Sequence, residues 1–250
     1  MSVIEGKHED LISAVQRIDS ELTARPYASE PDAGTFVDIS GARVMGYQPG
    51  SESLSSYAEF EDTFRGSEAF VSTLLKGYLP ILEGQSPVLD IGCGRGELLA
   101  MLGPSGVEAF GVDLDESMLQ RCKEKGLDAR SGDGIAVLRQ CAPGSLGGVT
   151  AIQVVEHINP DRLAELFDAA FSALRPGGVL LLETVNPHSP AALKAFWLDL
   201  THVRPLYPES LLTLARQAGF ESARIVFPNG SGDLDEDLRQ CGSYAVVAYR

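Results

Sequence analysis

A glycine-rich turn after a short apolar run constrains this chain more than any other feature. Residues 88–99 read VLDIGCGRGELL, so the apolar run ends at Asp90 and glycines follow at positions 92, 94 and 96. Glycine permits backbone angles and a close ligand approach that a Cβ would forbid. The pattern therefore predicts a β-strand that turns tightly into a helix around a ligand, and the alternative is an ordinary glycine-rich turn.

The acidic residue in this turn distinguishes it from a dinucleotide fingerprint. A dinucleotide motif has its third glycine where this chain has Glu97, and a carboxylate at the strand tip would repel a pyrophosphate. The same carboxylate suits the cationic α-amino group of a methionine moiety. The turn therefore favours S-adenosylmethionine (SAM) over NAD, and its predicted cofactor contacts are Asp90, Gly92 and Gly94.

Two further segments predict contacts to a nucleoside. Residues 109–113 form an apolar run that ends in Asp113, and an acid at this place in a second parallel strand accepts both ribose hydroxyls. A short third strand is expected near residues 127–130, and a side-chain acceptor just after it can meet an adenine amino group. The predicted contacts at these two strands are Asp113, Leu114, Asp133 and Gly134.

Two more strands complete a recognisable order of motifs. Residues 148–157 predict a fourth strand that runs into polar residues, with Gln153 as a further cofactor contact, and residues 174–183 predict a helix end, a turn and a fifth strand. Over roughly residues 54–250 this order resembles the class I SAM-dependent methyltransferases. The resemblance implies SAM as the cofactor and transfer of its methyl group as the activity.

The alternation of strands and helices predicts an α/β fold. A helix opening at Pro160 and another over residues 208–219 precede two strands near residues 220–227 and 242–249. We expect a Rossmann-like, doubly wound, seven-stranded sheet whose last strand is antiparallel. The acidic residues 233–237 between those strands predict a solvated loop rather than a cation site.

The first fifth of the chain is expected to be an appendage. Residues 8–24 have helical apolar spacing, and this face needs a partner, either the main domain or a second subunit in a homodimer. The Pro- and Gly-containing residues 25–53 predict a linker or a lid, and helical character returns over residues 54–82. We therefore divide the chain into residues 1–53 and a methyltransferase domain of residues 54–250.

Charge and cysteine use limit the partners and the location. The net charge of −15 opposes binding to phosphate backbones, so we expect no nucleic-acid partner. The four cysteines lack C-x-x-C spacing, which fits reduced thiols and leaves any metal ligands unknown. No signal peptide and no apolar run of membrane-spanning length are present, so we expect a cytoplasmic protein without a membrane partner.

His157 is the predicted general base. Methyl transfer to oxygen is an in-line displacement, and an alcohol acceptor must lose a proton. His157 directly follows the fourth strand, and histidine titrates near neutrality. The alternatives are that His157 only orders the cleft or caps the next helix, and that His202 is the base instead.

A long connection after the fifth strand, about residues 186–207, is predicted to bind the acceptor. Its aromatic and polar side chains suit stacking on a sugar ring and hydrogen bonding to its hydroxyls. The alternative is that they anchor and tie down a lid. The predicted acceptor contacts are Tyr57, Glu156, Trp197, Asp199 and Arg204.

A narrower resemblance sharpens the expected substrate. Residues 60–67, 155–157 and 198–205 resemble the O-methyltransferases of methylated mannose or glucose polysaccharides. This resemblance implies that Arg65 reaches the methionine carboxylate, that His157 lies near the acceptor hydroxyl, and that the acceptor is a saccharide.

The chain is also similar to ubiquinone-pathway O-methyltransferases, whose E-x-x-E-H motif is associated with a divalent metal. Here Gln153 replaces the first glutamate while Glu156 and His157 remain, so Mg²⁺ is a possible second cofactor. Methylation of a phenolic or quinol hydroxyl is therefore the alternative enzymatic function. A third alternative is a noncatalytic SAM-fold module that binds a partner.

Overall fold

The computed structural model describes residues 12–17, 35–37, 39–46 and 67–250. The chain divides into two compact units, Met1–Phe64 and Arg65–Arg250. In the described part of the first unit, residues 12–17 are helical, within the helix expected over residues 8–24. The segment expected to be a linker or a lid contains an antiparallel hairpin of β1 (Thr35–Val37) and β2 (Arg43–Met45).

The second unit is built around the predicted seven-stranded sheet. Its strands are β3 (Val88–Ile91), β4 (Ala109–Asp113), β5 (Ala129–Ser131), β6 (Leu146–Ile152), β7 (Leu174–Val185), β8 (Ser222–Val226) and β9 (Ser243–Tyr249). They lie in the order β5-β4-β3-β6-β7-β9-β8. The first five are parallel, and β9 inserts antiparallel between β7 and β8. The predicted fold class is therefore confirmed.

Helices connect the strands. The α-helices of this unit span Glu68–Leu75, Leu79–Leu82, Glu97–Leu102, Glu116–Glu124, Gly134–Gln140, Pro160–Ala173, Pro190–Phe196, Pro208–Ala218 and Leu234–Gln240. Short 3₁₀ helices span Lys76–Tyr78, Gly103–Ser105 and Val155–His157. No helix in the described ranges is both long enough and apolar enough to cross a membrane.

The two faces of the sheet pack against separate sets of helices. Alternate residues of β7 point to opposite faces, so Leu180 and Leu182 join one apolar cluster while Val179 and Leu181 join the other. In the cluster with Leu180 and Leu182, the strands pack mainly against the helix Pro160–Ala173, which contributes Phe167. In the cluster with Val179 and Leu181, the strands pack against other helices, including Glu68–Leu75. Because both faces are covered, β6 is buried along its whole length.

The acidic segment 233–237 is the clearest correction to the sequence-based expectations. It is not a solvated loop, because most of it lies in the helix Leu234–Gln240. Asp233 accepts a hydrogen bond from the backbone N–H of Glu236 at 2.9 Å and so caps this helix. Acidic residues in a first turn also interact favourably with the partial positive charge of a helix N-terminus.

The order of the strands creates a crevice at the carboxyl edge of the sheet. The chain runs from β3 outward to β4 and β5, then returns to place β6 on the other side of β3. In open α/β sheets, such a switch point is where ligands bind. The segments that follow β3, β4 and β6 are therefore where we expect a ligand to bind.

Candidate active site

The glycine turn after β3 has the backbone that the sequence predicts. Gly92 and Gly94 have φ values of 63° and 52°, which disfavour other residues. A Cβ on Gly92 would lie 2.5 Å from Cγ2 of Val154, so the turn also packs tightly against the segment after β6. Both glycines are therefore favoured by conformation, and Gly92 is also required by space.

Asp113 at the end of β4 is tied to this turn. Its Oδ2 accepts a hydrogen bond from the backbone N–H of Gly94 at 2.8 Å, and its Oδ1 accepts one from the backbone N–H of Asp115 at 2.9 Å. These bonds fix the orientation of the carboxylate at the rim of the crevice. Leu114 follows with a side chain that is 73% exposed. The predicted ribose contact at Asp113 and the predicted contact at Leu114 both stay predictions.

The other acidic residues of the turn are buried. Asp90 accepts a hydrogen bond from the Thr150 hydroxyl at 2.7 Å, and its predicted contact to the methionine amino group stays a prediction. Glu97 replaces the third glycine of a dinucleotide motif. It forms a 2.7 Å ion pair with Arg95, and both side chains are almost fully buried. Sequence reasoning missed this pair, because both residues fall within a motif that is read mainly for its glycines.

Asp133 and Gly134 each have a structural task. Asp133 caps its helix by accepting from the backbone N–H of Ala136 at 2.9 Å, and the Arg162 guanidinium donates to both of its oxygens at 2.9 and 3.0 Å. Chiefly because of Arg162, the pKa of Asp133 lies below its usual range. A Cβ on Gly134 would lie 2.2 Å from Cγ2 of Ile91. A role of either residue at adenine stays a prediction.

Gln153 follows β6 and has an unusual backbone conformation. Its φ of 56° lies in the left-handed region. Its side-chain amide donates to Oε1 of Glu183 at 2.8 Å, and the Tyr78 hydroxyl donates to Oε2 of the same carboxylate. Burial and the Glu183 carboxylate raise the pKa of Tyr78 well above its usual value. Sequence reasoning missed the roles of Tyr78 and Glu183, which only the fold brings to Gln153.

His157 lies at the end of a hydrogen-bond relay. The Thr201 hydroxyl donates to Oδ1 of Asp199 at 2.6 Å and lies 2.9 Å from Nδ1 of His157. A hydroxyl has a single hydrogen, so Thr201 must accept at the histidine contact. Nδ1 of His157 therefore carries a hydrogen, and in the neutral imidazole the lone pair lies on Nε2.

His202 has the same tautomer for a different reason. Its Nδ1 lies 2.7 Å from the backbone oxygen of Phe196, which only accepts hydrogen bonds, so Nδ1 is the donor. Its ring packs on the Phe196 ring at 4.4 Å and lies 4.7 Å from the His157 ring between centroids. Its Nε2 is 3.7 Å from Oδ2 of Asp199. The two candidate bases therefore belong to one cluster.

Glu156 completes a group of metal-ligating side chains. One potential ligand atom from each of Glu156, His157 and His202 lies within 4.8 Å of the others, and Glu156 is fully buried. Two imidazoles and one carboxylate suit Mg²⁺ poorly, because this ion prefers oxygen ligands and retains several waters. The residues present therefore do not fit the Mg²⁺ site that the sequence suggested.

The remaining predicted acceptor residues form the surface near this cluster. Trp197 is 61% exposed and packs edge-on against the buried Phe196. Arg204 is also exposed. Asp199 belongs to the relay with Thr201 rather than to an open surface. Tyr57 and Arg65 lie outside the described residues, so their predicted roles stay predictions.

Known proteins resemble this chain over the same region. The family model described as "Methyltransferase domain" matches residues 62–224. A solved SAM-dependent methyltransferase from Archaeoglobus fulgidus is 31% identical with a TM-score of 0.71, and the alignment covers 78% of this chain and 100% of that one.

Two curated relatives are named ubiquinone biosynthesis O-methyltransferase. The protein of Methylococcus capsulatus is 34% identical over 153 residues, which is 59% of this chain and 60% of the relative. A protein of Xanthomonas campestris is 31% identical over 127 residues, which is 49% of this chain and 52% of the relative. The chain thus spans little more than half the length of these relatives.

Proposed function

This chain belongs to the class I SAM-dependent methyltransferases, and from that membership we propose that it transfers the SAM methyl group to a hydroxyl oxygen of a small molecule. The relay of His157, Thr201 and Asp199 is the observation that carries this proposal. In this relay an imidazole with a defined tautomer ends the short 3₁₀ helix that follows β6, near the carboxyl ends of the parallel strands. A hydroxyl acceptor is the kind of substrate that needs such a base.

In the proposed reaction, the acceptor oxygen attacks the SAM methyl carbon in line with the departing sulfur. The new C–O bond forms as the C–S bond breaks, and the electron pair of the C–S bond stays on sulfur. The hydroxyl proton moves to Nε2 of His157. The resulting imidazolium is stabilised by Asp199 through the Thr201 hydroxyl, which donates to the carboxylate and accepts from Nδ1.

The cofactor roles proposed for the crevice follow from its fixed acids. Asp113 is held by two backbone N–H groups and is suited to accept the ribose hydroxyls. Asp90 supplies negative charge beneath the turn for the methionine amino group. Gly92 and Gly94 have positive φ values and no Cβ, so the cofactor can approach the main chain closely at these two residues.

A phenolic or quinol hydroxyl is the acceptor class that we favour. Both curated relatives described above are named for ubiquinone biosynthesis, and exposed apolar side chains flank the relay, with Trp197 at 61% and Leu200 at 95% exposure. An aromatic acceptor can pack on such a surface. This revises the saccharide expected from the sequence, because the curated relatives are named for ubiquinone biosynthesis, and Asp199, a predicted sugar contact, has an orienting role through the hydrogen bond to its Oδ1 from Thr201.

The saccharide remains the second candidate, because exposed Trp197 and Arg204 suit a sugar ring and its hydroxyls. A noncatalytic module is the third, and calorimetric SAM binding together with turnover separates it from both enzymes. The homodimer and the cytoplasmic location stay predictions.

The test is transfer of the labelled methyl group from SAM to a panel of catechols and quinols and to a matched panel of mono- and oligosaccharides. We expect labelled methyl ethers from the phenolic panel. Labelled sugars alone would move the acceptor to the second candidate, and tight SAM binding without product in either panel would count against the proposed reaction. Heat-denatured protein is the blank.

A further inference from the structure

Glu183 joins two segments of the crevice through hydrogen bonds that the proposed reaction does not use. We propose that Glu183 is a positioning residue for methyl transfer, which holds Gln153 in the conformation that directs the chain after β6 towards the cofactor turn and the base. The part of this role that concerns SAM stands on the crevice alone, whereas the part that concerns the base rests on the proposed function.

Gln153 has a backbone conformation that needs support. With a φ of 56°, it is the one non-glycine residue with a positive φ in the part of the chain that the structure describes. L-residues rarely adopt this region, because the Cβ crowds the backbone. Such a conformation persists where the surrounding contacts hold it, and residues of this kind are concentrated at functional sites.

Glu183 supplies two of the contacts that hold Gln153. Its backbone oxygen accepts a hydrogen bond from the Gln153 backbone N–H at 3.0 Å, and its Oε1 accepts one from the Gln153 side-chain amide at 2.8 Å. The hydroxyl of the fully buried Tyr78 donates to Oε2. Because both carboxylate oxygens accept hydrogen bonds, the orientation of the Glu183 side chain is fixed and Oε1 stays directed at Gln153.

The chain that leaves Gln153 links the cofactor turn to the candidate base. Val154 packs directly on the glycine turn, since its Cγ2 would lie 2.5 Å from a Cβ on Gly92. The Val154 backbone oxygen accepts a hydrogen bond from the backbone N–H of His157 at 3.0 Å, at the end of the 3₁₀ helix Val155–His157. A change in the backbone angles of Gln153 would therefore move Val154 and disturb both the turn and the base.

The side-chain pair needs an amide at one position and a carboxylate at the other. Gln153→Glu would place two carboxylates at hydrogen-bond distance, where like charges repel. Exchange of the two groups in Gln153→Glu/Glu183→Gln restores the bond, because the amide at position 183 donates to the carboxylate at 153 and its oxygen still accepts from Tyr78. This exchange preserves a positioning role, but it would not preserve binding of SAM by the Gln153 amide itself.

A double-mutant cycle on the full chain tests the coupling, with SAM affinity measured by calorimetry. We expect Gln153→Glu to weaken SAM binding by at least about tenfold in the unaltered chain and by less than about twofold in the Glu183→Gln background. Gln120→Glu is the matched control, because the Gln120 amide also donates to a carboxylate, that of Glu124 at 3.0 Å, but on an exposed helix surface. The control should leave SAM affinity unchanged.

Turnover at saturating SAM measures the effect on the base. We expect kcat to stay reduced in Gln153→Glu even when SAM is saturating, because His157 follows the same turn of the chain. In the double variant kcat should return to the value of Glu183→Gln. A residue that only stabilises the fold would not give this recovery.

The outcomes separate the role of Glu183 from the proposed function. An equal loss of SAM affinity for Gln153→Glu in both backgrounds would overturn the positioning role, and so would a loss of the same size in the Gln120 control. Full kcat in Gln153→Glu at saturating SAM would overturn the part that concerns the base. Coupling in SAM affinity in a chain that methylates no acceptor supports the role of Glu183 at the crevice and counts only against the proposed function.

The double variant also keeps the test decisive if Gln153→Glu does not fold. A double variant that folds and binds SAM as tightly as Glu183→Gln would then support the pairing. A double variant that also does not fold, while Glu183→Gln does, would contradict it.

Discussion

At the scale of single residues, a threonine decides how the candidate base works. Thr201 has one hydrogen and two partners, so its donation to Asp199 forces it to accept from His157. The tautomer of His157 thus depends on a residue 44 positions away in the chain. The base and its orienting acid come from segments that follow different strands, β6 and β7.

We expect His157→Asn to retain SAM binding and to lose about 10²-fold or more in kcat, as for removal of a general base that does not hold the cofactor. Thr201→Val should cost less, about 1.5 kcal/mol or roughly tenfold in kcat, because it removes one charge-assisted hydrogen bond. The measurements are steady-state turnover and calorimetric SAM affinity. A large loss in His202→Asn together with wild-type turnover in His157→Asn would transfer the role of base to His202.

At the scale of elements, close packing of a helix against the sheet accounts for the glycine at position 134, which was predicted from the sequence to contact the cofactor. Gly134 begins the helix Gly134–Gln140, and an added Cβ would lie 2.2 Å from Ile91 at the end of β3. A larger residue would push the helix away from the strand. The strand carries the cofactor turn, so the effect should reach SAM binding.

We expect Gly134→Ala to lower the free energy of unfolding by about 1–3 kcal/mol, the usual cost of overpacking a core. Gly103→Ala is the control, because a Cβ there meets nothing within 4 Å. Urea denaturation followed by circular dichroism measures both. Equal stability of the two variants would show that the helix accommodates the methyl group without strain.

Elements with strong local signals could be predicted from the sequence, and contacts between distant segments could not. The strands β3, β4, β6 and most of β7 coincide with apolar runs, and the helix Pro208–Ala218 begins at a proline and ends before Gly219. The hairpin of β1 and β2 was not predicted, because its strands are only three residues long. The acidic helix Leu234–Gln240 was missed because bunched carboxylates are usually solvated, whereas here Asp233 caps a helix.

The same distinction holds for the candidate site. Asp113 stands out because it ends an apolar run, and His157 stands out because it comes shortly after one. The Arg162 partner of Asp133 and the Thr201 partner of His157 leave no trace in local sequence, because each pair meets only after the strands have been ordered. A pattern of residues identifies the acids and bases of a crevice, but their hydrogen-bond partners depend on the tertiary fold.

At the scale of the whole molecule, the crevice couples SAM binding to the stability of the sheet. The turn after β3 and the end of β4 are joined by the bond from Gly94 to Asp113, beside the point between β3 and β6 where the strand order reverses. A ligand that binds only the folded chain stabilises it by mass action. The parts of the crevice exist together only in the folded sheet, so unfolding removes the binding site.

We expect SAM at about 100 times its Kd to raise the free energy of unfolding by about 2.7 kcal/mol. Asp113→Asn should weaken SAM affinity by about 1–3 kcal/mol, because it removes the charged acceptor of the ribose hydroxyls while keeping an oxygen for the N–H of Gly94. Its stabilisation curve should therefore shift to about 5- to 150-fold higher SAM. Denaturant unfolding across a SAM series measures this shift, with Asp128→Asn, whose partner is the exposed Arg130, as the control. If Asp113→Asn and Asp128→Asn give the same curve as the unaltered chain, Asp113 does not bind the ribose.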